Sequence, residues 1–292
     1  MNRYGKIDFH MHSAVSDGTD SPEEILSRVR NSGISFFSLT DHDATKGCKI
    51  IRSILDKAEK SLEPTFVTGV EFSCKDEKGK YHILGYGYEP ESKSISAVIE
   101  KGHMFRMSKV RARLDFIERK FGFSFPQEEI DALLAMDNPG KPHISNLMIK
   151  YGYAESIEQA IENYIDGIHF ESDYIRPEEA IQGIRGAGGI AVLAHPFFAG
   201  GDGLIIGKEM EERLRRLIEF GIQGVEAFYS GFSPKQINEM LSMADRYNLY
   251  VTAGSDYHGK NKLIELGDTG MDISESVPDG LKRFIEEIIS RA

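Results

Sequence analysis

The stretch Lys6-Ile7-Asp8-Phe9-His10-Met11-His12-Ser13 alternates apolar and polar residues in the manner of a β-strand. Side chains on a strand alternate between faces, so His10 and His12 project from the same side, as two ligands of one metal ion require. Asp17-Gly18 follows in the next loop. Six more short runs rich in β-branched and aromatic residues read as strands, near 35–41, 65–73, 81–88, 190–195, 224–229 and 249–256. Histidines and carboxylates collect at their ends. The second closes on Thr40-Asp41-His42-Asp43, the third on Glu71, the fifth on His195-Pro196 and the seventh on Asp256-Tyr257-His258, while the fourth opens with His82.

Helical patterns lie between most of these strands. Ser21-Pro22-Glu23-Glu24 and Ser233-Pro234-Lys235-Gln236 each place a capping serine, a proline in the first turn and a reciprocal acceptor three residues on. Strand followed by helix points to a parallel sheet, and seven strands suit a distorted (β/α)7 barrel better than a small open sheet. The active site of such a barrel lies at the strand C-termini. The rhythm breaks at 93–176, which carries helix signals without a convincing strand. The chain therefore divides into a barrel built from 1–92 and 177–292 and an inserted helical subdomain. In the first inserted helix, Met104, Met107, Val110, Leu114, Ile117 and Phe121 form one apolar stripe. Arg106, Lys109 and Arg113 flank one side of the stripe, and Arg111 the other. Ser156-Ile157-Glu158-Gln159 reads as a further capping box.

With 35 basic and 46 acidic residues the net charge is −11, which argues against duplex DNA and anionic lipid as partners. No apolar run approaches the length of a membrane span, and the opening MNRYGKIDFHMH has no apolar core of a secretory signal. The expected location is the cytoplasm. Cys48 and Cys74 form no CxxC pair and read as reduced structural thiols.

Six of the nine histidines sit beside expected strands. Clustering so many titratable groups demands compensation, and metal ions supply it. Mixed imidazole and carboxylate ligands suit Mn, Fe, Co or Zn better than Ca or Mg. Against the charges of Asp17, Glu71 and Asp256, two divalent cations leave a net +1 and three leave +3, so the site attracts an anion. A site of two or three ions also acidifies a bridging water to hydroxide and neutralises phosphoryl oxygens, which makes phosphoester hydrolysis the natural reaction. His195, His258 and Asp256 are candidates to assist the leaving group. Asp41 and Asp43, flanking His42, are expected to bond an imidazole from outside the ligand set.

The segments IDFHMH, SDG, LTDHD, GVEFS, HILGYG, VLAHP and GSDYHG, in this order, resemble the signature of the polymerase and histidinol phosphatase (PHP) domain of the metal-dependent phosphoesterases. The resemblance implies a first metal on His10, His12, Glu71 and Asp256, and a second on Asp17, His42 and His258. A third would rest on Glu71, His82 and His195, with Glu71 bridging. The insertion, with Arg111-Ala112-Arg113 and Lys141-Pro142-His143, looks like that of the nucleotide phosphatases and 5′-to-3′ oligonucleotide exonucleases. In that subfamily the insertion covers the mouth and grips phosphate, which makes Arg111, Arg113, Lys141 and His143 the candidate substrate contacts. The chain departs from the pattern after its AHP motif, where Phe197-Phe198-Ala199 stand in place of a small residue and an arginine.

The reaction expected is hydrolysis of a phosphate monoester of a small nucleotide, such as a 3′,5′-bisphosphonucleotide or a nucleoside monophosphate, or trimming of a short 5′-phosphorylated oligonucleotide. Histidinol phosphate phosphatases share the barrel ligands but are set apart by the long insertion. A non-catalytic module binding metal and nucleotide would betray itself by lost ligands, and none is lost.

Overall fold

Seven strands pair in chain order in the computed structural model, which describes residues 4–59, 63–170, 173–201, 203–272 and 277–291. They are β1 (Lys6–Asp8), β2 (Ile34–Leu39), β3 (Thr65–Asp76), β4 (Gly79–Tyr86), β5 (Ile190–Leu193), β6 (Gly224–Tyr229) and β7 (Tyr250–Gly254). Each lies where the sequence pattern places it. The edges meet: Phe9 N–H donates to Ala253 O, Asp256 N–H to His10 O and His12 N–H to Tyr257 O, all at 2.8 Å, which closes the sheet into a barrel.

The sheet is not wholly parallel. β4 runs antiparallel to both β3 and β5, whereas the other pairs are parallel. The reason is local: Asp76 pairs with Gly79 across two residues, too short a link for a crossover helix. Gly79, at φ 121°, occupies backbone space closed to other residues. Two expectations change in consequence. Glu71 lies within β3, opposite Leu84, rather than at its end, and His82 stands opposite Ser73. Because β4 runs backwards, its early residue His82 arrives at the same mouth as the C-terminal ends of the other strands.

Helices α1 (Pro22–Ser32), α2 (Lys46–Leu55), α7 (Pro177–Gly186), α8 (Gly207–Phe220), α9 (Pro234–Arg246) and α10 (Asp279–Arg291) clothe the barrel. Ser21 and Ser233 form the expected capping boxes. On α10, the buried Phe284 ring meets Phe9, Tyr86 and Tyr250 edge-on at 5.2–6.2 Å between centroids. Cys48 and Cys74 are buried and free, and burial pushes the Cys48 thiol up to about 12. Among the described residues no helix is long and apolar enough to cross a membrane.

Between β4 and α7 come α3 (Lys93–Phe121), α4 (Gln127–Leu134), α5 (Lys141–Lys150) and α6 (Ile157–Asn163). Ser156 caps α6 by accepting from Gln159 N–H. These helices enclose their own core of Val110, Leu114, Ile117, Leu133, Ile144 and Met148. The 29-residue α3 serves two cores: its first turns send Ile95 and Val98 into the barrel core. That division leaves Met104 exposed at 57%, outside the stripe expected to bury it.

Phe284→Ala should cost about 3–5 kcal/mol of stability, because it empties a site among three rings that cannot collapse. Urea unfolding of the variant against the parent measures this.

Candidate metal centre and active site

Nine side chains from six strands and their following loops converge at the mouth. Their metal-competent atoms form overlapping groups: His12, Asp17, His42 and His258; His10, Glu71 and His195; His10, His12 and Asp256; His42, Glu71 and His82. Glu71 stands at the middle. Its Oε2 lies 3.3 Å from His10 Nε2, 3.1 Å from His12 Nε2 and 3.2 Å from His42 Nδ1. Its Oε1 lies 2.8 Å from His82 Nδ1 and 3.2 Å from His195 Nε2. Asp256 Oδ1 completes one group at 3.5 Å from His10 Nε2 and 3.4 Å from His12 Nε2. Asp17 completes another, with Oδ1 3.3 Å from His258 Nε2 and Oδ2 3.8 Å from His42 Nε2.

These spacings suit metal. Ligand atoms about 2.0–2.2 Å from an ion in a tetrahedral array lie about 3.3–3.6 Å apart. The pairs also leave hydrogen-bonding capacity unspent. Asp17 Oδ1, His42 Nδ1 and His195 Nδ1 are buried without a hydrogen-bond partner, a state that an ion relieves at Asp17 and His42. The residues present fit divalent cations.

The charges agree. Burial alone would raise the carboxyls, but the imidazoles around them win. Glu71 is held well below its usual range by His82, His42 and His10, and Asp17 by His42 and His258. Asp256 is held down likewise, by Lys262, His10 and His258. The imidazoles divide. Burial pulls His10 and His12 down, yet Asp256 and Glu71 lift His12 to about 9, and Glu226, Glu71 and Asp256 lift His10. His42 and His258 stay depressed, and burial is the largest cause. Three anions thus persist at the mouth for cations to meet.

The backbone is bent to deliver these groups. Asp43, His195 and Asp256 adopt φ of 48°, 26° and 58°, left-handed conformations that tertiary structure must hold in place. Glu226 on β6 does part of this. It accepts from the His10 ring through Nδ1–H at 2.9 Å and from His195 N–H at 2.8 Å, which leaves His10 Nε2 for the cluster. Gly254 makes room, since a Cβ there would stand 2.2 Å from the Cβ of His10. Asp8, raised by burial to about 6, receives N–H and hydroxyl bonds from Ser255.

Asp41 and Asp43 act differently from expectation. Asp41 accepts from Ser13 and Ser16 and so shapes the loop below His12. Asp43 accepts from Arg106 at 3.0 Å, which pins α3 to the barrel. Neither bonds an imidazole, because each is turned toward a nearer donor. Asn138, between α4 and α5, donates to His42 O and makes a second clasp. Gly102 lets α3 pass close to Asp43.

A cavity of about 380 Å³ opens between the cluster and the inserted helices. Asp17, His42 and His82 form its floor, and Lys80, Arg106, Lys109, Arg113, Lys141 and Lys262 its walls. Arg113 and Lys141 are therefore at the cavity. His143 is spent on structure, its Nδ1 accepting from Gly140 N–H at the start of α5. Arg111 is placed elsewhere: it is exposed on α3 and does not line this cavity, because it lies off the face shared by Arg106, Lys109 and Arg113. His169 is exposed, and His103 bonds Asn138 at 3.3 Å. Glu226, the one charged residue in an apolar strand, carried a readable signal; Lys262 and Asn138, in loops, carried none.

The model of the PHP domain matches residues 8–175. The chain belongs to the PHP domain family. Over 98% of its length it is 27% identical to 97% of the 3′,5′-nucleoside bisphosphate phosphatase of Chromobacterium violaceum. Over 96% it is 28% identical to 99% of the 5′-3′ exoribonuclease of Haemophilus influenzae. A Bifidobacterium adolescentis crystal structure, assigned as a metal-dependent phosphoesterase, superposes with a TM-score of 0.80 at 25% identity, covering 98% of this chain and 96% of that one. This PHP protein is thus a phosphoesterase by family, with a buried cluster suited to divalent metals.

His10→Ala should lose at least one metal equivalent on reconstitution and most turnover; elemental analysis showing unchanged content would refute its ligand role. Glu226→Gln should weaken metal affinity by about 10–100-fold, measured by chelator competition, because the His10 ring loses its orienting acceptor.

Proposed function

We propose that this PHP protein hydrolyses a phosphate ester of a small nucleotide that carries a second phosphate, such as a 3′,5′-bisphosphonucleotide. The observation that carries the reading is the shared wall. The cluster's His42, His82 and Asp17 are also the floor of a cavity walled by six cations, in a protein of net charge −11. An acidic chain gathers such a wall to hold an anion. Part of the wall is engaged: Arg106 with Asp43, Lys141 with Asp166 at 2.5 Å and Lys262 with Asp256 at 2.6 Å. Arg113 is not spent in this way. It is 7% exposed, its Nε has no partner, and its guanidinium lies over the Phe170 ring at 5.1 Å.

In this reading 93–176 is a lid on the barrel of 1–92 and 177–292, and it grips the non-reacting phosphate through Lys109, Arg113 and Lys141. His10, His12, Glu71 and Asp256 would hold one ion, Asp17, His42 and His258 a second, and Glu71, His82 and His195 a third. Manganese, iron or zinc would suit the mixed nitrogen and oxygen ligands. Bound ions of this kind acidify a water and neutralise phosphoryl oxygens. Asp256, His195 and His258 turn their polar atoms into the cluster, which makes ligation their part. Lys262 remains charged: burial lowers it, but contact with Asp256 raises it further. An ammonium that keeps its proton is suited to steadying charge on the reacting phosphate.

The metal-loaded protein should turn over adenosine 3′,5′-bisphosphate with a lower KM than AMP. Preference for histidinol phosphate would overturn the assignment. Arg113→Met should raise KM for the bisphosphate about tenfold or more, the cost of a lost charge-assisted contact, with kcat less affected.

Lys109 supplies a pH test. Burial brings its ammonium, which lies 3.8 Å from the Tyr174 ring centroid, down to about 7. The charged form exists below that pH and is lost above it, so KM for the bisphosphate should climb as pH passes through about 7. In Lys109→Met that rise should flatten, as read from KM between pH 6 and 8.5.

A further inference from the structure

Among the described residues, the hydrogen bonds and ion pairs from the inserted helices to the loops that carry cluster residues fall on one side of the cluster. Asn138, 1% exposed, donates through Nδ2 to the carbonyl of His42, and its Oδ1 lies 3.3 Å from His103 Nδ1 on α3. Arg106 holds Asp43, the next residue, through Nε at 3.2 Å and Nη2 at 3.0 Å. Lys46, at the end of the same loop, pairs with Asp137 at 2.6 Å. On α5, Asn146 donates to Asn261 Oδ1 at 3.3 Å. Asn261 passes this contact on, its Nδ2 donating to Asp17 O at 2.8 Å and its N–H to His258 O at 3.4 Å. The approach is close as well, since a Cβ on Gly140 would stand 3.3 Å from Asp17 Oδ2. All of these contacts end on Asp17, His42 and His258 or the loops around them, three members of one metal-competent group.

The barrel itself holds the rest of the cluster. His10 and the backbone of His195 rest on Glu226, Asp256 Oδ2 accepts from Tyr229 OH at 3.0 Å and from Lys262, and Glu71 and His82 stand within strands. A second cavity on that side, of about 540 Å³, is walled by Phe198, Gly203, Leu204 and Tyr229, with no residue of the insertion in its described lining. Asp17 and His258 stand in loops, without the ladder of hydrogen bonds that fixes a strand, so their placement depends on what packs against them. We propose that the seating of 93–176 and the occupation of the group of Asp17, His42 and His258 by an ion are coupled, each favouring the other, while ions held by the barrel alone are indifferent to the insertion. Asn138, Arg106 and Asn261 are the positioning residues of this coupling, which rests on the ligand sets of the reading above. Coupling of this kind is reciprocal: the ion strengthens the seat by the same factor as the seat strengthens the ion. Because the insertion also carries Arg113 and Lys141, this ligand group is completed as the cationic wall arrives over it.

The test uses the full chain with Mn²⁺ alone as the probe, read by chelator competition and by amide hydrogen exchange. In the parent, saturating Mn²⁺ should slow exchange in α5 and the α4–α5 link by about tenfold, the scale of an ordinary coupling between sites. Asp17→Asn should lose one metal equivalent and that protection with it. Asn138→Ala should weaken one equivalent by about tenfold and leave the others within about twofold, whereas a general loosening of the fold would weaken all of them. Exchange in the insertion that is the same with and without Mn²⁺ in the parent, a comparison that needs no variant, would overturn the coupling and spare the ligand sets. Asn138→Ala acting on every equivalent alike, or on none, would also overturn it. If that variant does not fold, the exchange of the parent against Asp17→Asn decides the matter. Unchanged metal content in Asp17→Asn would instead remove the underlying ligand set.

Discussion

One carboxylate organises the mouth of this barrel. Glu71 is 1% exposed, and its two oxygens face five imidazoles from β1, β2, β4 and β5 or the loops after them. A buried carboxylate without partners would take up a proton; here burial is outweighed and the charge is kept. The position also explains the odd strand. The β3–β4 hairpin brings His82 back toward Glu71, which a parallel crossover at that point would send to the far end of the barrel. The departure from a regular barrel is thus what brings His82 into one group of metal-competent atoms with His42 and Glu71.

Around this centre, buried polar groups hold the clustered side chains and their loops in place. Glu226 fixes His10 and the backbone of His195, Asp41 fixes the Ser13–Ser16 loop, and Asp8 fixes Ser255 and the N–H of Gly267. Each of these carboxyls is deeply buried and each has several donors, the condition under which burial of a polar group is tolerable. Two of them hold the backbone at or beside the left-handed residues His195 and Asp256, whose side chains turn inward.

The inserted helices reach the site through a few clasps. Arg106 to Asp43 and Asn138 to the carbonyl of His42 tie α3 and the α4–α5 link to the loop after β2. Because that loop also carries His42, the same contacts that seat the insertion set one wall of the basic cavity. The cluster then lies between two unlike spaces, one cationic and one aromatic.

Much of this was legible in the chain itself. The seven strands follow from short runs rich in β-branched and aromatic residues, the helix starts from Ser-Pro capping signals, and the histidines from their places beside the strands, because local composition and capping are properties of neighbouring residues. The side of α3 that bears Arg106, Lys109 and Arg113 follows from helical spacing. What that side faces does not, since Arg111 differs from Arg113 only by where the barrel lies. The pairing of Glu71 with His82, the clasp by Asn138 and the approach of Lys262 to Asp256 join residues far apart in the chain or set in loops without a period. Sequence alone determined which residue types were available and which way they pointed along each element. Only tertiary packing decided which of them share one low-dielectric pocket, because burial and charge act through space and not along the chain.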